Sequence, residues 1–148
     1  RARACFGPDR RRRMTLDREK MVDPALNGFF LALNAKDIAR IRLAFTPECP
    51  MVIPSSDLVY KDAHDTIVHL EDFTQTFEVI NFHDFTLVPD PEEKRLAATF
   101  TVTLTDDEGE ITEMRNANFF EFADDHRISK ILIIATQPLD KGFQVGRS

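Results

Sequence analysis

The sequence predicts an α+β fold, with three helices ahead of a mainly antiparallel β-sheet. The first observation is a change in hydrophobic period, from about 3.6 residues in the first half to 2 residues from Val79 onward. The second is that three long strands follow one another through short turns, so we expect the helices together on one face of the sheet. The third is the length of 148 residues, which is enough for one domain with its own core.

Aspartates mark the predicted starts of the three helices. Asp23 is a good N-cap and Pro24 fits the first helical position, with residues 15–22 able to add a turn or two before it. Asp37 and Asp62 cap the second and third helices in the same way. Apolar residues at helical spacing form the faces expected to be buried: Val22, Leu26, Phe29, Phe30 and Leu33; Ile38, Ile41, Ala44 and Phe45; Ile67, Leu70, Phe73 and Phe77.

Two short strands and four long ones are predicted. The short strands are Met51–Ile53 and Leu58–Tyr60, and the long ones are 79–88, 95–105, 111–122 and 127–136. In the second long strand, apolar residues alternate with threonines, which predicts one face toward the core and one toward solvent. The apolar face is Leu96, Ala98, Phe100, Val102 and Leu104.

The last strand is apolar on both sides. Ile128, Leu132 and Ile134 alternate with Ile131, Ile133 and Ala135. A strand buried on both faces needs cover on the back of the sheet as well. We expect a homodimer that packs sheet against sheet; the alternative is that Ile131 and Ile133 lie on a moderately apolar surface.

Charge is divided unevenly along the chain. Residues 1–13 hold six arginines and one aspartate, so residues 14–148 carry a formal charge of −11, since the whole chain carries −6. The acidic body argues against nucleic-acid binding by the domain. We interpret residues 1–13 as a basic tail that is non-native or disordered, with residues 14–148 as the domain and 23–137 as its core. The alternative is an arm for nucleic acid or anionic lipid.

Composition favours a cytoplasmic protein with an apolar interior. Thirteen phenylalanines against one tyrosine and no tryptophan suggest a core or cavity walled by rings without polar groups. Cys5 and Cys49 form no disulfide framework, and no apolar run has the length of a membrane span or signal core. The sequence shows no phosphate loop, nucleophile motif or metal-ligand cluster, so we expect no cofactor, no metal and no membrane partner.

The segment ALNAKDIARIRLAF, followed by a proline-bounded strand, a helix and an antiparallel sheet, resembles the nuclear transport factor 2-like superfamily. The resemblance covers about residues 23–137. It implies a strongly curved mixed or antiparallel sheet that forms a cone with an internal cavity, as in ketosteroid isomerase, scytalone dehydratase and the SnoaL-like polyketide cyclases. Because this fold serves enzymes and non-enzymes alike, the resemblance predicts the fold far better than the activity.

Position by position, the chain lacks the familiar ketosteroid isomerase chemistry. Ile53 stands where that family has its aspartate base, before Pro54, and Phe29 stands where it has a hydrogen-bonding tyrosine. Asn118 takes the place of its protonated aspartate. Isoleucine cannot accept a proton, and asparagine can donate a hydrogen bond but does not titrate.

His83 in NFHDFTLV resembles the strand histidine of scytalone dehydratase and many SnoaL-like proteins. Its partner histidine on the following strand is missing, because that strand offers Phe100 and Thr101. We expect His83 to share a mostly apolar face with Val79, Phe85 and Leu87. It is the group suited to proton transfer near neutral pH, or else a satisfied core histidine.

Asn116 and Asn118 share a predicted strand face with Met114, Phe120 and Phe122. Two amides on an apolar face are costly to bury unless they are paired or face a ligand, so both are candidate cavity residues. The alternative is that they bond to nearby backbone, to water or to each other.

Tyr60 follows the loop Ser55–Asp57, which would lie near the mouth of the cone. It could donate a hydrogen bond to a ligand carbonyl, or be a rim residue with an exposed hydroxyl. Asp57 is most simply a turn residue. His64 and His69 are five residues apart on a helix, which places them on different faces and argues against a shared metal site.

These patterns support two hypotheses. The first is a SnoaL-like protein with a small-molecule pocket, an isomerase, dehydratase or cyclase acting on a hydrophobic carbonyl compound through His83 and Asn118. The second is a non-catalytic ligand-binding or dimerisation module of the same fold. Whether the chain is an enzyme stays open, and the predicted site residues are His83 and Asn118 as catalytic groups, with Phe29, Ile53, Tyr60, Phe100, Asn116 and Phe120 lining the pocket.

Overall fold

A computed structural model describes residues 14–137 of the chain. The helices are α1 (Arg18–Ala25), α2 (Leu31–Asn34), α3 (Ile38–Ala44) and α4 (Ala63–Thr76), with a π-helical turn at Leu26–Phe30 between α1 and α2. The strands are β1 (Met51–Ile53), β2 (Leu58–Tyr60), β3 (Phe77–Asp90), β4 (Arg95–Asp106), β5 (Ile111–Phe122) and β6 (Ile128–Ile134). The segment 1–13, with Cys5, and residues 138–148 lie outside the described part.

The strands form one six-stranded sheet in the order β2-β1-β6-β5-β4-β3. β1 pairs parallel with β6, and the other neighbouring strands are antiparallel. The sheet is curled without closing, and the helices pack on it, so the predicted α+β class with a curved mixed sheet is confirmed. No helix among the described residues is long and apolar enough to cross a membrane.

The first predicted helix corresponds to α1, the π-helical turn and α2, which together form the first helical unit. This unit begins earlier than predicted. Asp17, not Asp23, is its N-cap, since the Asp17 carboxylate accepts hydrogen bonds from the backbone N–H groups of Glu19 and Lys20. Pro24 therefore lies inside α1, where it has no N–H to donate to the preceding turn. The π-helical turn follows directly, the kind of local widening that accompanies an interrupted helical ladder.

The caps predicted for the two later helical units are confirmed. The Asp37 carboxylate accepts from the Arg40 N–H, and the Asp62 carboxylate accepts from the Asp65 N–H. α4 ends at Thr76, so Phe77 is the first residue of β3 and not the last of a helix. Its ring stays in the core, 5.3 Å from the ring of Phe73.

The edge strand β3 is held near its middle by Asn34, the last residue of α2. The Asn34 side chain accepts a hydrogen bond from the Phe82 N–H at 2.7 Å and donates one to the Phe82 carbonyl at 3.0 Å. Its amide thus pairs with the free edge of β3 as a neighbouring strand would. This attachment fixes Phe82 against the helices, just before the strand changes course.

Phenylalanine rings form the centre of the core between helices and sheet. Phe30 is fully buried and its ring centre lies within 5.7 Å of four other rings besides its neighbour in sequence. Those rings belong to Phe82, Phe85, Phe100 and Phe120. The alternation predicted for β4 is confirmed, because its five apolar residues are all buried and point to this cluster.

Three β-bulges change which side chains face the core, and the first lies at the start of β3, where the register shifts between Phe77 and Val79. At the second, also in β3, the register shifts between His83 and Thr86, and Asp84 adopts a left-handed backbone with φ of 59°. Before this bulge Ile80 and Phe82 point inward, and after it Phe85 and Leu87 do. One extra residue in a strand reverses the facing of everything beyond it.

The third bulge lies in β6. Glu121 pairs with Lys130 and Phe122 with Ile128, so Ser129 is the extra residue. Ile128, Ile131 and Ile133 therefore all face the core and are buried. The prediction that Ile128 shares a face with Leu132 and Ile134 is wrong, as is the alternative that places Ile131 and Ile133 on the outer surface.

Candidate functional site

A small, partly open apolar cavity lies between the curled sheet and the helices. Its free volume is about 30 Å³, which is room for one or two water molecules. Four phenylalanine rings form much of its wall, and the rest is aliphatic apart from two asparagines. None of the described residues that line it carries a titratable side chain. The rings are those of Phe29, Phe73, Phe82 and Phe100, and the amides are those of Asn116 and Asn118.

The lining side chains come partly from the inner face of the sheet and partly from the π-helical turn. Asn118 pairs with Ala98 and Asn116 with Phe100 across β4 and β5, so both amides lie on the inner face of the sheet. The π-helical turn carries Phe29 and Phe30 side by side, and both are buried. The prediction that the two asparagines share a face with Met114, Phe120 and Phe122 is confirmed by the burial of all five.

Asn116 is held in one orientation. Its Oδ1 accepts hydrogen bonds from the Thr136 backbone N–H at 3.0 Å and from the Thr136 hydroxyl at 3.3 Å. Both groups are donors here, so the oxygen of the amide must face Thr136. Thr136 was not singled out by the sequence, and only its position just beyond β6 gives it this role.

Asn118 is buried without a hydrogen bond to its oxygen. The residue is 1% exposed, and no described group donates to its Oδ1. An amide oxygen buried in this way costs about 1–3 kcal/mol relative to one that is paired. The structure therefore has an open hydrogen-bonding position beside the cavity.

His83 faces the opposite side of the sheet. It lies ahead of the bulge at Asp84, so the expectation that it shares a face with Phe85 and Leu87 is wrong. Its Nε2 lies 3.0 Å from the Thr103 hydroxyl, which itself donates to the Glu113 carboxylate at 3.2 Å. His83 and Asn118 are therefore on opposite faces and do not meet at one cavity.

Arg115 holds the bulge from the outer face. Its Nη1 donates to the Asp84 carbonyl at 3.0 Å, the Asp84 carboxylate at 2.9 Å and the Thr101 hydroxyl at 3.0 Å. The left-handed residue is thus tied to β4 and β5. Together with Asn34 on the edge of β3, Arg115 stabilises the register in which His83 points outward.

The remaining predicted lining residues divide into two groups. Phe29 and Phe100 line the cavity. Ile53 and Phe120 are fully buried but belong to the surrounding core, with Phe120 packed edge-on against Phe29 at 5.5 Å. The lining residues that sequence analysis did not assign to the pocket include Phe73 and Phe82, for which burial alone gives no signal of a cavity.

Tyr60 lies away from the cavity. It is 5% exposed, and its ring is 3.8 Å from that of His69, across a surface groove between β2 and α4. Neither predicted position of Tyr60, at the cavity or exposed on a rim, is correct.

Burial lowers the pKa of His69, against smaller opposing effects of Asp72 and Asp65. Asp57 has a left-handed backbone, as suits a turn residue.

Neither the Cys49 thiol nor a group of metal-ligating side chains provides a second reactive site in the described part of the chain. Burial, with a smaller effect of Glu48, raises the pKa of Cys49 to about 12, so its thiol stays protonated and is a poor nucleophile. Within residues 14–137 no three histidine, cysteine, aspartate or glutamate side chains are grouped closely enough to hold a metal ion.

Solved structures share this architecture at low sequence identity. An isomerase, provisionally described as such, from Bacillus subtilis has 15% identity and a TM-score of 0.72, with 90% of this chain and 98% of that chain covered. A protein of unknown function with a cystatin-like fold from Methylobium petroleophilum PM1 has 19% identity and a TM-score of 0.68, with 90% and 93% covered.

A third neighbour, provisionally described as a SnoaL-like polyketide cyclase, comes from Shewanella denitrificans OS-217. It has 11% identity and a TM-score of 0.65, with 80% of this chain and 89% of that chain covered. Neither family models nor curated protein sequences match the chain. Identities this low show the fold alone. The chain has the cystatin-like fold, as its resemblance to the nuclear transport factor 2-like superfamily predicted.

Proposed function

We propose that this chain is a non-catalytic binding protein for a small apolar molecule, held in the cavity between the phenylalanine rings and the two asparagines. The observation that carries the proposal is the Oδ1 of Asn118, which is buried beside the cavity without a donor. A bound molecule that supplies the donor would remove the cost of this unpaired group and would bury its own apolar surface.

The lining favours binding over catalysis. An isomerase, dehydratase or cyclase acting on a hydrophobic carbonyl compound needs a proton-transfer group within hydrogen-bond reach of its substrate. The described lining residues include no such group, and His83 lies across the sheet from Asn118. The resemblance to cyclases and isomerases therefore supports a cavity that binds a small molecule, and it does not support the chemistry of those enzymes.

A ligand larger than one or two waters requires the walls to move. Met114 lies in the wall, and its unbranched thioether side chain adapts to shape more readily than a branched one. Small rotations of Phe73 or Phe82 would add to the space. The bound state would then be wider than the cavity of about 30 Å³ in this structure.

Native mass spectrometry of the purified full chain tests the proposal. We expect each 17.0 kDa chain, whether free or in a dimer, to carry an added mass of a few hundred daltons at most, which is lost under denaturing conditions. Asn118→Leu should lower its occupancy, whereas Asn81→Leu, at an exposed position, should not. His83→Gln should also leave occupancy unchanged. A ligand-free mass together with no thermal shift from a library of small apolar fragments would count against binding.

A second proposal concerns the outer face of the sheet, which we infer packs against a second copy of the chain. Strand registers place one apolar residue from each of the six strands in a single row across this face. Val59, Val88 and Phe119 in that row are 68%, 60% and 46% exposed. The row consists of Val59, Val52, Leu132, Phe119, Ala97 and Val88, and Ile134 lies beside it.

Charges next to this apolar row are compatible with self-association. Two positions further along the strands, Asp90, Arg95, Glu121 and Lys130 form a parallel row with alternating signs. Their formal charges cancel, so the border of the face does not repeat the negative charge of the whole domain. Two copies could approach here without strong repulsion, and each would cover the other's apolar row.

Phe119→Glu is expected to convert the dimer into a monomer, because it places a charge at the centre of the apolar row. Sedimentation velocity at about 100 µM would show a species of twice 17.0 kDa for the wild type and 17.0 kDa for the variant. Leu43→Glu is the matched control, since Leu43 is 79% exposed on α3, away from this face. A monomeric wild type, or a dimeric Phe119→Glu, would rule out this interface.

A further inference from the structure

The two cavity asparagines offer opposite hydrogen-bonding groups. The Oδ1 of Asn116 is occupied by both donors of Thr136, and no described residue accepts a hydrogen bond from its Nδ2. A flipped amide would set its Nδ2 against the Thr136 N–H, so the orientation is fixed by chemistry. Asn116 can therefore present a donor to the cavity that it lines.

Asn118 presents the complementary group. It lies two residues further along the same face of β5, about 6.6 Å away along the strand. Its Oδ1 is an acceptor with no donor among the described residues, although the side chain is 1% exposed. A donor and an acceptor thus lie side by side in an otherwise apolar lining.

From this pair we propose that the ligand is an alcohol or a phenol, whose hydroxyl oxygen accepts from Asn116 Nδ2 and whose hydroxyl proton is donated to Asn118 Oδ1. The assignment rests on the proposed binding function and adds the chemical class of the ligand. A hydroxyl is the smallest organic group that both donates and accepts, so it satisfies both amides at once.

Other polar groups fit this pair less well. A ketone, aldehyde or ether only accepts, so with the Asn118 amide oriented as in this structure it would leave the oxygen of Asn118 unpaired. A carboxylate or an ammonium would bring a charge into a lining in which no described residue can neutralise it. The aromatic walls of Phe29, Phe82 and Phe100 favour a ring beside the hydroxyl, which makes phenol a suitable probe.

Phenol and toluene provide a matched comparison, because they have nearly the same size and shape and differ by a hydroxyl in place of a methyl group. The phenol hydroxyl must give up its bonds to water on entering the cavity, so a dry apolar site would prefer toluene. A preference for phenol therefore reports hydrogen bonds made inside the protein. We expect phenol to bind at least about tenfold more tightly to the full-length chain, since two bonds are made.

The measurement is a titration of the ¹⁵N-labelled full chain, followed through the side-chain amide signals of Asn116 and Asn118. Asn118→Leu should abolish the preference for phenol while toluene still binds, and Asn81→Leu, an exposed asparagine, should keep it. Phe82→Ala, tested alongside the wild type, opens space for a ring beside the amides if the native walls are too close.

The outcomes distinguish a failure of the hydroxyl assignment alone from a failure of the binding function as well. If toluene binds as tightly as phenol, or if Asn118→Leu keeps the preference, the hydroxyl assignment is wrong and the apolar binding function stands. If neither probe binds to the wild type or to Phe82→Ala, both proposals are overturned, and the two amides hold water only.

Discussion

Phe30→Ala is expected to lower the free energy of unfolding by about 3–5 kcal/mol, the range for truncating a buried phenylalanine. Phe30 is fully buried, and its ring contacts those of Phe82, Phe85 and Phe100 at centre-to-centre distances of 5.4, 5.0 and 4.7 Å. Removing it leaves a void where the first helical unit meets the sheet. Urea unfolding followed by circular dichroism measures the change.

The control for this experiment is Leu43→Ala, because Leu43 is 79% exposed. Its truncation should change the free energy of unfolding by no more than about 0.5 kcal/mol, as is usual for surface positions. A cost below about 1 kcal/mol for Phe30→Ala would show that the rings around it close the void, contrary to the packing described above.

Gly28→Ala is expected to be the second most damaging change, at about 1–3 kcal/mol, because it overpacks a close helix contact. A Cβ atom at Gly28 would lie 2.8 Å from the Cβ of Ala44 on α3. Either the π-helical turn or α3 would have to move, and Phe29 in the same turn lines the cavity. Thermal and urea unfolding would both record the loss.

A double-mutant cycle identifies the cause. Ala44→Gly removes the atom that clashes, at a cost of about 1 kcal/mol for glycine in a helix. If the clash is responsible, the double variant Gly28→Ala/Ala44→Gly is more stable than the sum of the two single changes predicts. Simple additivity would instead indicate that Gly28 is needed for the conformation of the π-helical turn itself.

Local chemistry was sufficient to predict most elements. Asp37 and Asp62 cap their helices as expected, and the alternation in β4 places its apolar residues in the core. The start of the first helix was mispredicted because Asp23 and Pro24 make a strong local signal. Asp17 makes two capping hydrogen bonds and also donates its N–H to His126 Nε2 at 2.9 Å, a contact between residues far apart in sequence.

The candidate site was predicted in part. Phe29, Phe100, Asn116 and Asn118 line one cavity, since simple alternation and helical spacing hold where they lie. His83 does not join them, because one extra residue at Asp84 reverses the facing of β3. Nothing in the local sequence NFHDFTLV states that Asp84 will bulge, since it is held there by Arg115 from β5, 31 residues later.

The sequence by itself determined the α+β class, because periodicity and capping act over a few neighbouring residues. Its composition indicated the phenylalanine-rich interior, and its resemblance to the nuclear transport factor 2-like superfamily implied the curved sheet. Only the tertiary structure decided which faces of β3 and β6 meet the core. The bulge at Asp84 is held by Arg115 on β5, and a single inserted residue turns every later side chain to the opposite face. For that reason Asn118 is buried at a cavity, while His83 lies on the outer surface of the sheet.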